Sequence, residues 1–171
     1  RGVDFINAQQ YGTNAALAFG LAVNESAWGN SSIAQEKNNI FGLNAVDTSP
    51  GTSANTFASV AACINDFAKN WVSLGYTDPY DWRYYGPHLG DKQSGMNVQY
   101  ASDPYWGEKA AAQGYFLEDL SGKKDSDKYT LVIDTGVKPI SIYKDAKTSS
   151  KEYYQNGNSN SKVIHQFPFV V

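Results

Sequence analysis

The sequence predicts an α+β protein: a mainly α-helical domain over residues 1–121 with a small irregular hairpin, a linker over 122–128, and a short all-β segment over 129–171. Three observations carry this. Through the first 120 residues apolar side chains recur at spacings of three and four, the period of a half-buried helix. A Lys-rich stretch from Gly122 to Lys128 then breaks the pattern. Beyond it the apolar residues alternate in short runs, as strands require. With 171 residues there is material for one full core and a small second unit, but not for three domains.

The first strong helix is expected over residues 14–28, with Asn14 as N-cap and Leu17, Leu21, Glu25 and Trp28 on one face. It stops at Gly29-Asn30. A second, short helix follows from Ser32, which with Gln35 spells an S-x-x-Q capping box, and it ends at Asn38-Asn39. From Leu43 to Phe57 the sequence is polar and rich in Gly, Ser, Thr and Asn, an exposed loop or small irregular hairpin. Ser59 caps the next helix, where Val60, Ile64, Phe67 and Trp71 form a buried stripe with Cys63 beside it as a small core residue. Tyr76 to Met96 is a long aromatic loop containing Tyr80, Trp82, Tyr84 and Tyr85, and long ordered loops tend to carry function. Asp103 and Pro104 supply an N-cap and a first-turn proline for a last helix to about Asp119. In the tail, Tyr129–Ile133, Ile140–Tyr143 and Val163–Val171 read as strands, with a hairpin or solvent loop over Gln155–Ser161.

Charge divides along the same boundary. Residues 1–121 hold six Lys/Arg against twelve Asp/Glu, a balance of −6, while residues 122–171 hold eight Lys against five Asp/Glu, a balance of +3. A nucleic-acid binder concentrates cations on its main domain, so no nucleic acid is expected as a partner. No apolar run approaches the roughly 20 residues of a membrane span. The Arg1 start has no leader pattern, and the apolar end Phe167 to Val171 suggests a chain that continues, so a trimmed product is expected. The single cysteine excludes an intrachain disulfide and a Cys-rich zinc site, and His88 and His165 are too isolated to suggest a metal. No metal and no cofactor are expected. Twelve Tyr, eight Phe and four Trp give the chain an unusual supply of rings for flat contact surfaces, of which sugars are one natural ligand.

Glu25 is the side chain whose position invites chemistry. It sits in the last turn of an apolar helix stripe beside Trp28, and burial of that kind raises a carboxyl pKa toward the range of a general acid. The same spacing also fits a helix-edge carboxylate that leans into solvent. Spacing alone leaves both readings open.

Two blocks separate them. Glu25-Ser26-Ala27-Trp28-Gly29-Asn30-Ser31, followed by Asn38-Asn39-Ile40-Phe41-Gly42, resembles the E-S-x-W-G-x-S…N-N-x-F-G signature of the bacterial glucosaminidases, glycoside hydrolase family 73. Gly95-Met96-Asn97-Val98-Gln99-Tyr100-Ala101-Ser102-Asp103-Pro104-Tyr105-Trp106 resembles the downstream Y-A-S-D-P block of the autolysin-like branch. The resemblance spans about residues 3 to 120 and implies a lysozyme-like helical fold. It further implies a secreted, cell-wall-associated hydrolase of peptidoglycan glycan strands, a monomer, cutting the GlcNAc-β-1,4-MurNAc bond with Glu25 as general acid. For the second catalytic group it leaves two candidates: Asp47, in the polar loop 22 residues on, or the substrate's own 2-acetamido oxygen. Asp47 reads equally as a turn-former in Asp-Thr-Ser-Pro. Tyr100 matches the motif tyrosine and is expected to position substrate, with a core tyrosine as the other reading. Trp28, Asn39, Phe41, Trp82 and Tyr85 are expected to contact sugar, whereas Trp71 and Trp106, on helices, are assigned to the core. The β tail is similar to the start of an SH3-like wall-binding module. The competing functions are a muramidase or lytic transglycosylase on the same fold and a non-catalytic wall-binding module.

Overall fold

A computed structural model describes residues 2–45, 50–125, 128, 130–133, 139–145, 147–156 and 168–170. Its helical part begins with α1 (Gly2–Ala8) and a 3-10 turn (Gln9–Tyr11) that lead into α2 (Ala15–Ser26). Asn14 Oδ1 accepts the Leu17 amide at 3.0 Å and starts α2 where the sequence indicates. The helix ends at Ser26, earlier than the apolar stripe suggests. Ala27, Trp28 and Gly29 all turn to positive φ, at 49°, 60° and 78°. Ser26 holds this reversal: its hydroxyl donates to the Ala22 carbonyl at 2.5 Å and accepts the Gly29 amide at 2.8 Å. Trp28 therefore leaves the face that carries Leu21 and Glu25.

Helix α3 (Ser32–Lys37) is capped by Ser31, whose Oγ accepts the Ala34 amide at 3.2 Å. The expected cap at Ser32 is thus one residue late, and no capping box forms because N3 is Ala34. Asn38, at φ 53°, closes α3 as expected. In the stretch expected to be a loop or irregular hairpin, the described residues form turns and a one-turn helix, α4 (Pro50–Ser53). Leu43 and Ala54 there are buried, not solvated.

Ser59 caps α5 (Val60–Asp66), accepting the Ala62 amide at 3.1 Å, and the helix runs on with π-type turns over Phe67–Tyr76. Ile64, Phe67 and Cys63 are buried as read, while Val60 and Trp71 at the ends of the stripe are half-buried. The one-turn helix α6 (Asn97–Tyr100) precedes α7 (Trp106–Leu120). Asp103 acts three positions ahead of the first residue of α7, its Oδ1 accepting the Tyr105 amide at 2.9 Å and its Oδ2 pairing with Lys109 at 2.5 Å. The Pro104-Tyr105 turn, not Pro104 itself, leads into the helix.

Helices α2 and α7 pack antiparallel and very closely. A Cβ at Gly20 would overlap the Ala110 carbonyl oxygen and stand 2.7 Å from the Gly114 nitrogen. Gly114 in turn lies against Ala16 and Leu17. This contact sets the last turn of α2, with Glu25, against the first turn of α7, with Trp106. The core around the pair comprises Phe5, Leu21, Phe41, Ile64, Phe67, Tyr76, Met96, Trp106 and Ala110. No described helix is long and apolar enough to cross a membrane.

The tail forms two separate antiparallel pairs: β1 (Leu131–Ile133) with β4 (Pro168–Val170), and β2 (Ile140–Tyr143) with β3 (Glu152–Asn156). In the second pair Ile140 faces Asn156 and Ile142 faces Tyr154, with an irregularity after Ile142. Strand β3 was not expected, and it takes in Gln155 and Asn156 from the stretch assigned to a hairpin or solvent loop. Among the described residues the two sheets do not join, and a closed SH3-like barrel is not shown. The β2–β3 hairpin packs on the aromatic loop after the π-helix. Tyr80 stands edge-on to Tyr153 and Tyr154, each at 5.4 Å, and donates its hydroxyl to the Tyr153 carbonyl at 2.6 Å.

Candidate active site

Four segments converge on Glu25. The carboxyl is half-buried at the end of α2, and Trp106 Nε1 donates to its Oε1 at 2.5 Å, with Asn24 Nδ2 adding a bond at 3.5 Å. Loss of solvent raises the Glu25 pKa above its ordinary value, and the two donors, which favour the ionised form, only partly oppose that. Oε1 is thus orientated by a fixed N–H, and Oε2 lies toward Gly42. A Cβ at Gly42, whose φ is 62°, would stand 3.7 Å from Oε2, so the chain passes the carboxyl closely there.

Tyr100 completes the support. Its ring stacks on Trp106 at 4.5 Å, and its hydroxyl donates to the Phe41 carbonyl at 2.9 Å. Phe41 stacks on Phe67 at 3.9 Å, so the N-N-x-F-G turn is fastened to the π-helix as well as to Tyr100. Burial, and next the Glu25 charge, push the Tyr100 hydroxyl well above its ordinary pKa, which makes it a neutral donor at any working pH. Asn39 is buried inside the turn that carries Phe41 and Gly42. Its amide donates to the Leu43 and Asn55 carbonyls, both at 3.0 Å, and its oxygen accepts the Leu43 amide at 3.0 Å. Expected to contact sugar, Asn39 instead spends its polar atoms on holding the loop.

Beside Gly42 opens a pocket of about 390 Å³ lined by Phe41, Gly42, Leu43, Asn44, Ala45, Trp71, Tyr76, Trp82, Arg83, Gln99 and Tyr100. Glu25 is not in its lining, but Gly42 and Tyr100 are common to the pocket and to the carboxyl's surroundings. Trp82 is 62% exposed on the pocket's wall, where sequence reasoning expected a sugar contact. The turn bearing it is braced by an ion pair between its two neighbours. Arg83 Nε meets Asp81 Oδ1 at 2.8 Å, and the guanidinium lies 5.6 Å over Trp71 and 5.4 Å over Tyr76. Its Nη2 also reaches the Asn70 and Leu74 carbonyls, at 3.4 and 3.5 Å, near the kink of the π-helix at Leu74. Gly75 has no Cβ because the guanidinium fills that space.

The remaining expected residues are distributed as follows. Phe41 reaches the pocket, although its ring is 1% exposed and engaged with Phe67. Tyr85 is half-buried next to the pocket, and its hydroxyl accepts Gln99 Nε2 at 3.4 Å. Trp28 is exposed, stands edge-on to Phe19 at 6.4 Å, and borders a different depression with Phe5, Val23 and Val60. The left-handed turn at Ala27 and Trp28 removes it from the pocket. Asp47 lies outside the described residues, and so does His165. Sequence reasoning missed Trp106 as the partner of Glu25, because a buried helix-start tryptophan reads as core; it is core, and it is also the last residue of the second motif block. Trp71, assigned to the core, faces the pocket through Arg83. Arg83 carried no signal of its own, and Gln99 only its place inside the second motif block.

Comparison with known proteins agrees with this geometry. A family model described as mannosyl-glycoprotein endo-beta-N-acetylglucosaminidase matches residues 5–114. Two curated relatives from different strains of Streptococcus pneumoniae, both named "Putative endo-beta-N-acetylglucosaminidase", are each 44% identical over 126 residues. Those residues are 73% of this chain and only 18% and 17% of the relatives, so the chain spans less than a fifth of their length. The matched region contains Glu25, Trp106 and Tyr100 together with the pocket, and the chain belongs to the glucosaminidase family of glycoside hydrolases.

Proposed function

We propose that this domain is an endo-β-N-acetylglucosaminidase of bacterial cell-wall glycan, cutting the GlcNAc-β-1,4-MurNAc bond with Glu25 as general acid. The observation that carries the reading is the Glu25 carboxyl, its pKa raised by burial, aimed by the Trp106 N–H and placed beside an aromatic-walled pocket. Such a group can give its proton to the leaving glycosidic oxygen as the C–O bond breaks. Pyranose C–H faces suit the Trp82 and Tyr100 side of the pocket, and polar edges can bond Gln99 and the Asn44 backbone.

Asp47 is our choice for the base that activates water. It follows the pocket-lining residue Ala45 by two positions in the chain, and inversion at the anomeric carbon is the expected outcome. The chain acts outside the cell on the wall itself. Mass spectrometry of digested peptidoglycan tests the bond: fragments with GlcNAc at the reducing end are expected, and reducing or anhydro MurNAc ends overturn the reading. Proton NMR of the first product tests the base, because retained β configuration would assign attack to the substrate's acetamido oxygen.

A further inference from the structure

The pocket wall does not end with the helical domain. Tyr80 and Trp82, two residues apart in one turn, are 65% and 62% exposed, and Tyr153 on β3 is 38% exposed against Tyr80. The turn and the hairpin are fastened to each other at both ends of this contact. Asp78 Oδ1 accepts the Tyr80 amide at 3.0 Å and the Tyr153 hydroxyl at 3.2 Å, while the Tyr80 hydroxyl donates to the Tyr153 carbonyl. Tyr154 packs behind, against Tyr80 at 5.4 Å and buried Tyr84 at 6.4 Å. Lys144 Nζ lies 6.0 Å over the Tyr153 ring.

Rings that serve only to join two units would be expected to bury their faces in the joint. Here the inner ring, Tyr84, is buried, whereas Tyr80 and Trp82 keep most of their surface in water and Tyr153 keeps 38% of its own, with the Tyr80 and Tyr153 hydroxyls already bonded. What remains is a ledge of aromatic surface that starts at the pocket on Trp82, continues over Tyr80 and ends on Tyr153 beside a cation. Sugar C–H faces are suited to such rings, and Lys144 is suited to the carboxylates that muramyl residues and their peptides carry.

We propose that Tyr80, Trp82 and Tyr153 form a composite subsite, shared between the helical domain and the β2–β3 hairpin, for the part of a glycan strand that extends beyond the pocket. This deepens the glucosaminidase reading and rests on it. The hairpin is then a working part of substrate binding, and its contribution depends on strand length: short glycans fill the pocket alone, and long ones reach the ledge.

The test compares kcat/KM for the full chain on purified peptidoglycan strands of many disaccharide units and on strands of two. For Tyr153→Ala the long-to-short ratio is expected to fall about tenfold, the equivalent of one ring contact of about 1.4 kcal/mol, through KM and not kcat. Tyr153→Phe, which keeps the ring and loses only the bond to Asp78, is expected to restore most of the ratio. Tyr115→Ala, which removes an exposed ring from α7, is expected to leave the ratio at the parent value. An unchanged ratio in Tyr153→Ala, or an equal loss on both strand lengths, overturns the proposal, the second because it marks simple support of the fold. Failure of the underlying reading would look different, since the parent would then release no GlcNAc reducing ends from either strand.

Discussion

Glu25 is held in a balance of burial against two hydrogen-bond donors that a single substitution can shift. Replacing it with Gln keeps the shape and removes the proton donor, so glycan hydrolysis is expected to fall by about 10²- to 10⁴-fold, measured as reducing ends released. The same variant reports the pKa. Burial raises the folded-state value above the ordinary 4.5, so below that pH both folded and unfolded chains hold the proton and no stability is lost. As pH rises, the unfolded chain ionises first, and stability declines until pH has passed the folded value. The melting temperature of Glu25→Gln relative to the parent should therefore climb as pH rises above about 4.5, and a constant difference would show that the carboxyl is not perturbed. Trp106→Phe shifts the balance further toward the neutral carboxyl. It deletes the donor that favours the ionised form, so the alkaline limb of the activity profile should move to higher pH while kcat drops and stability falls by about 1–2 kcal/mol. In the sequence the acid was legible only through its motif, because helix periodicity cannot tell a cleft-facing glutamate from a solvated one. Its partner was hidden for the opposite reason: a tryptophan that is buried to support a carboxyl has the same pattern as one that is buried to fill space.

The motif residues make sense as parts of elements more than as contacts to substrate. Ser26 and Gly29 build the reversal that ends α2 immediately after Glu25, Ser31 starts α3, and Asn38 and Asn39 stop it and brace the turn that brings Gly42 to the carboxyl. Asn39 looked like a sugar contact because its role depends on Leu43 and Asn55 backbone atoms that the spacing does not reveal. Helix positions were legible to within a turn at Asn14 and Ser59, where a side-chain cap decides the start, and less so at Ser31, where three consecutive hydroxyl or amide residues compete for the cap. The close α2–α7 crossing was invisible, since Gly20 and Gly114 are ordinary glycines until the two helices meet. Gly20→Ala tests it: the added methyl meets the Ala110 carbonyl oxygen, and a loss of about 1–3 kcal/mol in denaturant unfolding is expected. Because the crossing also sets Glu25 against Trp106, activity should fall further than the fraction unfolded explains. A fully active variant would mean that the helices can part without moving the acid.

At the scale of the whole molecule, the composition shift near residue 121 was readable and the way its two sides meet was not. Strand β3 is Glu-Tyr-Tyr-Gln-Asn, in which two adjacent aromatics replace alternation and the last two residues favour turns, so no strand pattern emerges. Its tyrosines find partners 70 or more residues away in the aromatic loop, a pairing that no local pattern encodes. Cys63 offers an independent view of the larger side. It is the chain's single cysteine, fully buried on α5 against the turn that carries Asn39 and Phe41, and burial pushes its thiol up to about 11. At pH 8 roughly one thiol in a thousand would then be ionised, and even that one is enclosed. Modification by a thiol reagent should consequently wait for the helical domain to open, and its midpoint in guanidinium should coincide with the loss of helical circular dichroism. Tyr153→Ala should leave that midpoint in place, because the hairpin lies outside the Cys63 core. If Cys63 reacted freely under native conditions, the core that holds Phe41 and Phe67 behind the active site would have to be looser than its packing implies, and the rigid placement of Gly42 beside Glu25 would lose its basis.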